Sequence, residues 1–215
     1  IMPWLEFRRV LFRSGLEAFL AINQTATIYL KPKAFGEKLS ITNEIQHFIG
    51  FKLKMPVSDY PNAFVLLEED TEISPGIKLI TNIHMYSNDL VDTSKFFVKD
   101  SMNLIQDPFA DELFMLITEG KKSFLFTGCS HKGILNILKT AFEKNNHQSI
   151  HYVFGGMHFS GELLRHLDQH LMQFSRFGIE GIFVNHCTGI DGYYRLKIKF
   201  PQKVNYAFTG FQVEL

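Results

Sequence analysis

Three histidines each follow a short apolar run in the second half of the chain. The runs read Phe124-Leu-Phe-Thr-Gly-Cys-Ser-His131, Tyr152-Val-Phe-Gly-Gly-Met-His158 and Ile182-Phe-Val-Asn-His186. Ligands and chemistry collect outside the carboxyl ends of strands in open α/β sheets, and imidazoles delivered there by separate strands can form a metal site. We therefore predict that His131 and His186 bind a metal. His158 is predicted as a third ligand, with a substrate contact as the alternative.

The turn before His131 is expected to lead from a strand into a helix. Ser130 is a candidate cap for that helix. A histidine in the first helical turn is disfavoured as a cation by the helix dipole, which favours the neutral imidazole that binds metal. The ordinary alternatives are a surface histidine for His131, a buried hydrogen-bonded one for His186 and a pocket wall for His158.

The two cysteines, Cys129 and Cys187, each neighbour a candidate ligand. Cys129 beside a histidine is an alternative nucleophile for a thiol-dependent hydrolase. Thiolate ligation by either cysteine would instead favour structural zinc, and small residues packing at strand ends are the third option. Two cysteines provide no disulfide framework, so we expect a reducing, cytoplasmic location.

Composition excludes several classes of partner. The chain has 215 residues, 22 basic and 22 acidic, so no net charge attracts nucleic acid or an anionic membrane. No apolar run approaches the ~20 residues that span a bilayer. We expect a small-molecule substrate, no nucleic-acid partner and no membrane, and homo-oligomerisation stays open.

The hydrophobic pattern predicts an α/β fold with one domain over residues 14–215. Residues 41–110 form a strand-rich segment whose loops are expected to cover a substrate. Further on, a hairpin is predicted over 112–118 and 123–127, helices over 132–145 and 161–177, and strands over 149–154, 181–185, 194–200 and 211–215.

The first 13 residues differ from the rest. They contain arginines but lack a continuous apolar stretch of signal-peptide length. The segment resembles translated adapter sequence at the end of an assembled gene fragment, so we expect a non-native leader. A basic N-terminal extension is the alternative.

The ordered motifs Thr-Gly-Cys-Ser-His131, Gly-Gly-Met-His158 and His186-Cys-Thr-Gly resemble the metallo-β-lactamase-fold hydrolases. They are most similar to the branch named for 7,8-dihydropterin-6-methyl-4-(β-D-ribofuranosyl)aminobenzene-5'-phosphate synthase. The resemblance runs from about Gly15 to the C-terminus and implies an αβ/βα sandwich with one or two metal ions at its edge. His131 and His186 match family ligands, and His158 stands near the position of a bridging aspartate.

The resemblance also implies an activity. A divalent metal, with zinc expected and iron or manganese as alternatives, would activate a water that attacks a phosphoester or similar bond of a small molecule, with a phosphorylated one as an option. The catalytic group would then be this water rather than a side chain.

One family signature, His-x-His-x-Asp-His, is nowhere in the chain. In relatives it immediately precedes the helix that begins here at Gly15. We therefore expect an N-terminally truncated fragment with impaired metal binding and impaired or absent activity. A non-catalytic, metal-free binding domain of the same fold is an alternative.

Six residues beside the candidate ligands are predicted to contact substrate. Lys132 and Asn136 lie at the predicted helix start, where they could place an anionic group. The alternative is that both simply lie on an exposed face of the helix. The others are Gly155, Gly156, Cys187 and Thr188, and the two glycines would let a ligand approach the backbone.

Overall fold

The computed structural model describes residues 15–50, 52–86, 91–159 and 161–214. The predicted leader and Ser14 lie outside these ranges. The strands in chain order are β1 (Ile28–Leu30), β2 (Lys38–Thr42), β3 (Ile45–Phe48), β4 (Phe64–Leu66), β5 (Thr71–Ser74), β6 (Ile77–Ile80), β7 (Phe96–Asp100), β8 (Asn103–Gln106), β9 (Phe114–Glu119), β10 (Lys122–Thr127), β11 (Tyr152–Gly155), β12 (Gly181–Val184) and β13 (Val204–Tyr206). The helices are α1 (residues 15–22), α2 (Ile134–Lys144), α3 (Gly161–Met172) and α4 (Gly189–Lys199). Short 3-10 segments cover Pro32–Phe35, Val57–Asp59, Gln173–Phe177 and His186–Thr188.

The chain divides into two compact units. Unit 1 combines Ile1–Glu68 with Thr93–Asp111, and unit 2 combines Glu69–Asp92 with Glu112–Leu215. In the described part of the chain, no helix combines the length and the apolarity needed to cross a membrane.

Unit 1 is built from short strands. Within its described residues, four strands form an antiparallel sheet in the order β3-β2-β7-β8, and β1 pairs in parallel with β4. Ile49, Phe96 and Phe109 form its buried cluster. The strand-rich segment predicted over 41–110 begins within this sheet, and its role as a cover for substrate stays a prediction.

A buried lysine also stabilises unit 1. Lys38 is 1% exposed, and its Nζ lies 3.1 Å from Asp107 Oδ2 and pairs with Asp111 as well. Asp107 Oδ1 additionally accepts a hydrogen bond from the Phe109 amide at 2.7 Å. Burying these charges is tolerated because each has an opposite charge in contact.

Unit 2 contains the larger sheet. Seven strands of its described residues follow the order β13-β12-β11-β10-β9-β6-β5, and β10, β11, β12 and β13 run parallel. One face of α2 is buried in the core of this unit, as its apolar spacing predicts; the buried apolar residues of α2 are Ile134, Leu135, Ile137, Leu138 and Ala141.

Aromatic rings hold the parallel strands in register. Phe126, Phe154 and Phe183 occupy consecutive strands and stack with ring centroids 4.6 Å apart at both steps. Strand residues alternate between the two faces of a sheet, so Leu125 and Val153 face the opposite way and lie fully buried in the core. The stack therefore fixes the relative positions of the strand ends that carry the histidines.

Several predicted elements are present with shifted ends. The hairpin forms as β9 and β10. The helix predicted over 132–145 is α2, and the one predicted over 161–177 is α3 followed by the 3-10 segment Gln173–Phe177. The strands predicted over 149–154 and 181–185 are β11 and β12.

The predictions for the C-terminal tail are wrong. Residues 194–200, predicted as a strand from their alternating pattern, belong largely to helix α4, and residues 211–214 form no strand. The physical reason is the parallel pairing of β12 with β13. Two parallel neighbours need a crossover between them, and α4 is that crossover, with Leu196 buried in the core.

Candidate metal centre

The loops after β10, β11 and β12 share one edge of the unit 2 sheet. β10 pairs in parallel with β11 and β11 with β12, in register over Phe124, Tyr152 and Gly181. The carboxyl ends of the three strands therefore lie side by side. Sequence spacing predicted this arrangement, and each loop contributes one of the histidines His131, His158 and His186.

The loop after β10 is closed by Ser130. Its hydroxyl donates a 2.7 Å hydrogen bond to the carbonyl of Gly156 in the next loop, and its backbone φ is +58°. The prediction that Ser130 caps the following helix is wrong, because α2 begins only at Ile134, after Gly133. His131 accordingly precedes the first helical turn, so the helix-dipole argument for its neutral form loses its geometric basis.

A buried carboxylate supports His131 from the start of the hairpin. Glu112 Oε1 accepts a 2.7 Å hydrogen bond from the His131 amide, and Oε2 accepts one of 2.8 Å from the Lys132 amide. Oε1 also lies 3.6 Å from His131 Nδ1. Burial raises the pKa of Glu112, while His131 and the two amides act in the opposite direction.

Sequence reasoning missed this role for Glu112. The available signal was the hairpin itself. Phe114 at the start of β9 is paired with Thr127 at the end of β10, so residues just before β9 must lie beside residues just after β10. The two other acidic residues of this segment, Asp107 and Asp111, pair with Lys38 instead.

The loop after β11 brings His158 to His131. Their ring centroids are 4.9 Å apart with the planes at 63°, and His158 has a backbone φ of +43°. A positive φ at a residue with a side chain costs free energy and is retained where surrounding structure imposes it. Two of the three predicted imidazole ligands are therefore in ring contact.

Gly156 provides space between the loops. A Cβ at this position would lie 2.3 Å from Cys187 Sγ and 2.9 Å from His186 Cε1, distances that real side chains do not show. The Gly156 amide donates a 2.7 Å hydrogen bond to Gly128 O, and Gly155 O accepts one from Asn185 at 3.2 Å. The backbone of both glycines thus joins the strand ends, and their absent side chains make room for sulfur and imidazole.

The loop after β12 brings His186 to the two cysteines. Cys129 Sγ lies 2.8 Å from His186 Nε2, and Cys187 Sγ lies 3.5 Å from the carbonyl oxygen of Cys129. The ligand atoms of Cys129, His186 and Cys187 all lie within 4.8 Å of one another. Thr188 is buried, and its hydroxyl accepts a 3.1 Å hydrogen bond from the Met157 amide.

The Cys129 thiol is the meeting point of the cluster. A hydrogen bond with Cys187, followed by those with His131 and His186, holds the pKa of Cys129 well below its usual range, although burial opposes the shift. Hydrogen bonds to a thiolate stabilise the charged form. Cys129 therefore contacts two of the three imidazoles predicted as ligands, those of His131 and His186.

Comparison with known proteins agrees with this architecture. No family model matches the chain. A 7,8-dihydropterin-6-methyl-4-(beta-D-ribofuranosyl)-aminobenzene-5'-phosphate synthase of Methanocaldococcus jannaschii is 22% identical over 175 residues, which cover 78% of this chain and 59% of that protein. A crystal structure of a metal-dependent hydrolase of the β-lactamase superfamily superimposes with a TM-score of 0.79 and 26% identity, covering 91% of this chain and 73% of that one.

The chain has the β-lactamase-superfamily fold. The predicted fold class and the predicted resemblance are thereby confirmed. The chain spans about 59% of the length of the curated relative that it matches.

The predicted substrate residues Asn136 and Lys132 have different surroundings. Asn136 is fully buried; its Oδ1 accepts a 3.0 Å hydrogen bond from the Tyr86 amide, and its Nδ2 donates one of 2.8 Å to Lys132 O. Asn136 thus fastens the 83–86 segment to the start of α2. Lys132 lies directly after His131, with its backbone held by Glu112.

Proposed function

We propose that the protein is a metal-dependent hydrolase whose metal is held at the strand ends by His131, His158 and His186. The observation that carries the proposal is the parallel pairing of β10, β11 and β12, because it places three histidine-bearing loops at one edge. The metal-dependent hydrolase with the same fold supports the reaction class.

The residues at the edge fit a divalent cation. The donor atoms of the three histidines are imidazole nitrogens, which suit zinc better than magnesium or calcium. Gly156 supports the fit, since its missing Cβ leaves the space beside His186 and Cys187. When bound, such a metal would polarise the scissile bond and lower the pKa of water.

The protein's own residues would orient the metal ligands and position the substrate. Glu112 Oε1 lies 3.6 Å from His131 Nδ1, which would favour Nε2 as the atom available to a metal. The Lys132 side chain, one residue further, would hold an anionic group of the substrate. Gly155, Gly156, Cys187 and Thr188 would shape the pocket, and Asn136 would keep the start of α2 in place.

For the substrate, we propose a phosphorylated small molecule. The name of the Methanocaldococcus jannaschii relative includes a 5'-phosphate, and a lysine beside the site is suited to a phosphate. The cytoplasmic location, and impaired activity in the absence of the His-x-His-x-Asp-His signature, stay predictions.

The test is metal binding by the 215-residue chain. After purification without chelator and loading with excess zinc, elemental analysis is expected to find one ion per chain, lost in His131→Ala and His186→Ala. His47→Ala is the control, because His47 is an exposed residue of β3. Zinc that survives both substitutions, or that is lost equally in the control, would contradict the proposal.

Activity is measured separately. Hydrolysis of a panel of phosphomonoesters and phosphodiesters should require zinc and fall with His131→Ala. Hydrolysis that persists unchanged after chelation would exclude metal dependence.

A thiol-dependent hydrolase is the second candidate function. It is favoured by the 2.8 Å separation of Cys129 Sγ and His186 Nε2 and by the lowered pKa of Cys129. His186 would take the thiol proton, and Cys129 would attack the substrate and displace its leaving group, which takes the proton from His186. Water would then hydrolyse the covalent intermediate and regenerate the thiol. Loss of activity in Cys129→Ala with unchanged metal content, together with resistance to chelators, would favour this function over the metallohydrolase.

A further inference from the structure

We propose that Cys129 and Cys187 are thiolate ligands of the metal that His186 holds, so that the centre selects a thiophilic ion. The inference rests on the metal site of the proposed function, since His186 belongs to both ligand sets. It adds two sulfur donors and a metal class that the imidazole cluster alone does not specify.

The side chains of Cys129, His186 and Cys187 lie close together. Cys129 follows β10, whereas His186 and Cys187 follow β12, and all three ligand atoms fall within 4.8 Å of one another. Cys187 is 9% exposed, and Cys129 is partly buried. Two separate strands therefore deliver both sulfurs to one imidazole from a rigid sheet edge.

The loop after β11, between the two cysteine-bearing loops, leaves space for the cluster. Gly156 follows β11, which lies between β10 and β12, and a Cβ there would reach within 2.3 Å of Cys187 Sγ. Packing of two small thiols would not by itself require a glycine in contact with both Cys187 and His186.

The distances between the ligand atoms can be compared with those of a tetrahedral zinc site. Zinc bonds of about 2.3 Å to sulfur and 2.0–2.1 Å to nitrogen place two sulfurs roughly 3.8 Å apart and a sulfur and nitrogen roughly 3.6 Å apart. Cys129 Sγ and His186 Nε2, at 2.8 Å, would have to separate by somewhat under 1 Å. Side-chain rotation of that size is within reach of a partly buried cysteine.

The donor set determines which ions bind. Two thiolates and one imidazole prefer zinc, cadmium or cobalt to magnesium or manganese, because soft sulfur donors bind thiophilic ions. Two cysteines and one histidine also occur together as ligands in a known catalytic zinc set. The ligand set is thus compatible with the hydrolase function.

The experiment uses cobalt as a spectroscopic probe on the reduced full chain. A thiolate-to-cobalt charge-transfer band in the near ultraviolet should appear on loading. It can arise only from Cys129 and Cys187, because the sequence has two cysteines. Cys129→Ser and Cys187→Ser should each reduce the band to about half, since one of two thiolates is removed, and the band should be lost in His186→Ala.

A second measurement needs no variant. Zinc loading should slow alkylation of both thiols by iodoacetamide by roughly tenfold or more, because a metal-bound thiolate is a poorer nucleophile. Magnesium at the same concentration should give no protection. This result remains informative even if a serine variant fails to fold.

The outcomes separate the two proposals. Cobalt that binds without the ultraviolet band, or zinc that protects neither thiol, would overturn thiolate ligation and leave the imidazole site of the proposed function intact. A chain that binds neither ion would overturn both. A band that keeps its full intensity in either serine variant would also overturn the inference.

Discussion

Gly156 lies where two loops and two functional side chains meet. The position has no room for a methyl group, since an added Cβ would lie 2.3 Å from Cys187 Sγ and 2.9 Å from His186 Cε1. Its neighbour across the strand pair, Gly128, has open space around the equivalent atom. Alanine substitutions at Gly156 and Gly128 therefore compare a position without room for a Cβ with one that has room.

Gly156→Ala should destabilise the protein by about 1–3 kcal/mol, because Cys187 and His186 must move, and should weaken zinc binding. Gly128→Ala should change the free energy of unfolding by less than about 0.5 kcal/mol. Urea unfolding and a zinc competition titration measure the two effects. If both variants have the same free energy of unfolding and the same zinc affinity, the close approach at Gly156 is not needed for stability or zinc binding.

Glu112 acts on His131 through both backbone and side chain. In Glu112→Gln one carboxylate oxygen becomes an NH2 group, which faces an amide donor of His131 or Lys132. We expect a loss of about 1–3 kcal/mol in stability and roughly 10–100-fold weaker zinc binding. Glu119→Gln, at an exposed residue of β9, is the control and should leave both quantities unchanged. Zinc affinity equal to that of the native chain would refute the orienting role.

At the scale of elements, α4 decides how the last parallel strand joins the sheet. As a strand, residues 194–200 would bury Leu196 and Ile198 on the same face. As a helix, they bury Leu196 completely and leave Ile198 62% exposed. Substitutions of Leu196 and Ile198 can therefore distinguish the helix from the strand.

Leu196→Ala should cost about 2–5 kcal/mol, because it removes a buried side chain from the core of unit 2. Ile198→Ala should cost less than about 0.5 kcal/mol. Thermal unfolding of the two variants provides the measurement, and similar losses in both would favour the strand.

Asp70 connects the beginning of β5 with the end of α2. It accepts hydrogen bonds from the amides of Thr81 at 2.8 Å and Asn82 at 3.2 Å and lies 2.6 Å from Lys144 Nζ. Burial alone would raise the pKa of Asp70, but Lys144 and the two amides bring it below its ordinary value of 3.8.

Asp70→Asn should destabilise the protein by about 1–2 kcal/mol at neutral pH, with the lysine contribution reduced by solvent screening. Since the folded pKa is depressed, this stabilisation is complete above pH 3.8 and is lost as the pH falls through the folded pKa. The difference from the native chain should thus disappear in acid. Asp168→Asn, whose carboxylate is 73% exposed, is the control, and a difference that persists at low pH would disprove the linkage.

At the scale of the whole molecule, the division into two compact units predicts separate local stabilities. Lys38 lies in unit 1, where it neutralises Asp107 and Asp111. Removing one partner of a buried ion pair leaves a charge without compensation.

Lys38→Met should destabilise unit 1 by roughly 3–5 kcal/mol. Hydrogen exchange should show faster exchange in β2 and β7, while β10 to β12 keep their protection if the units open independently. Lys99→Met, at a half-exposed pair with Glu37, should have little effect. Equal loss of protection in both units would indicate one cooperative unit.

The sequence by itself determined the strands that carry the candidate ligands. Apolar runs before Gly128, Gly155 and His186 predicted β10, β11 and β12, and helical spacing predicted α2 and α3. These signals are local, because side-chain periodicity within a segment reflects which face is buried. The resemblance of the motifs to the metallo-β-lactamase fold was also available from the residues alone.

Only the tertiary structure decided which side chains meet. The hairpin register brought Glu112 to His131, the parallel sheet brought Cys129 to His186 and Cys187, and the crossover between β12 and β13 made a helix of an alternating segment. Each depends on pairing between residues far apart in the chain, and local periodicity contains no information about such pairing. For this reason the sequence left thiolate ligation by Cys129 and Cys187 as one of three options and did not identify the carboxylate beside His131.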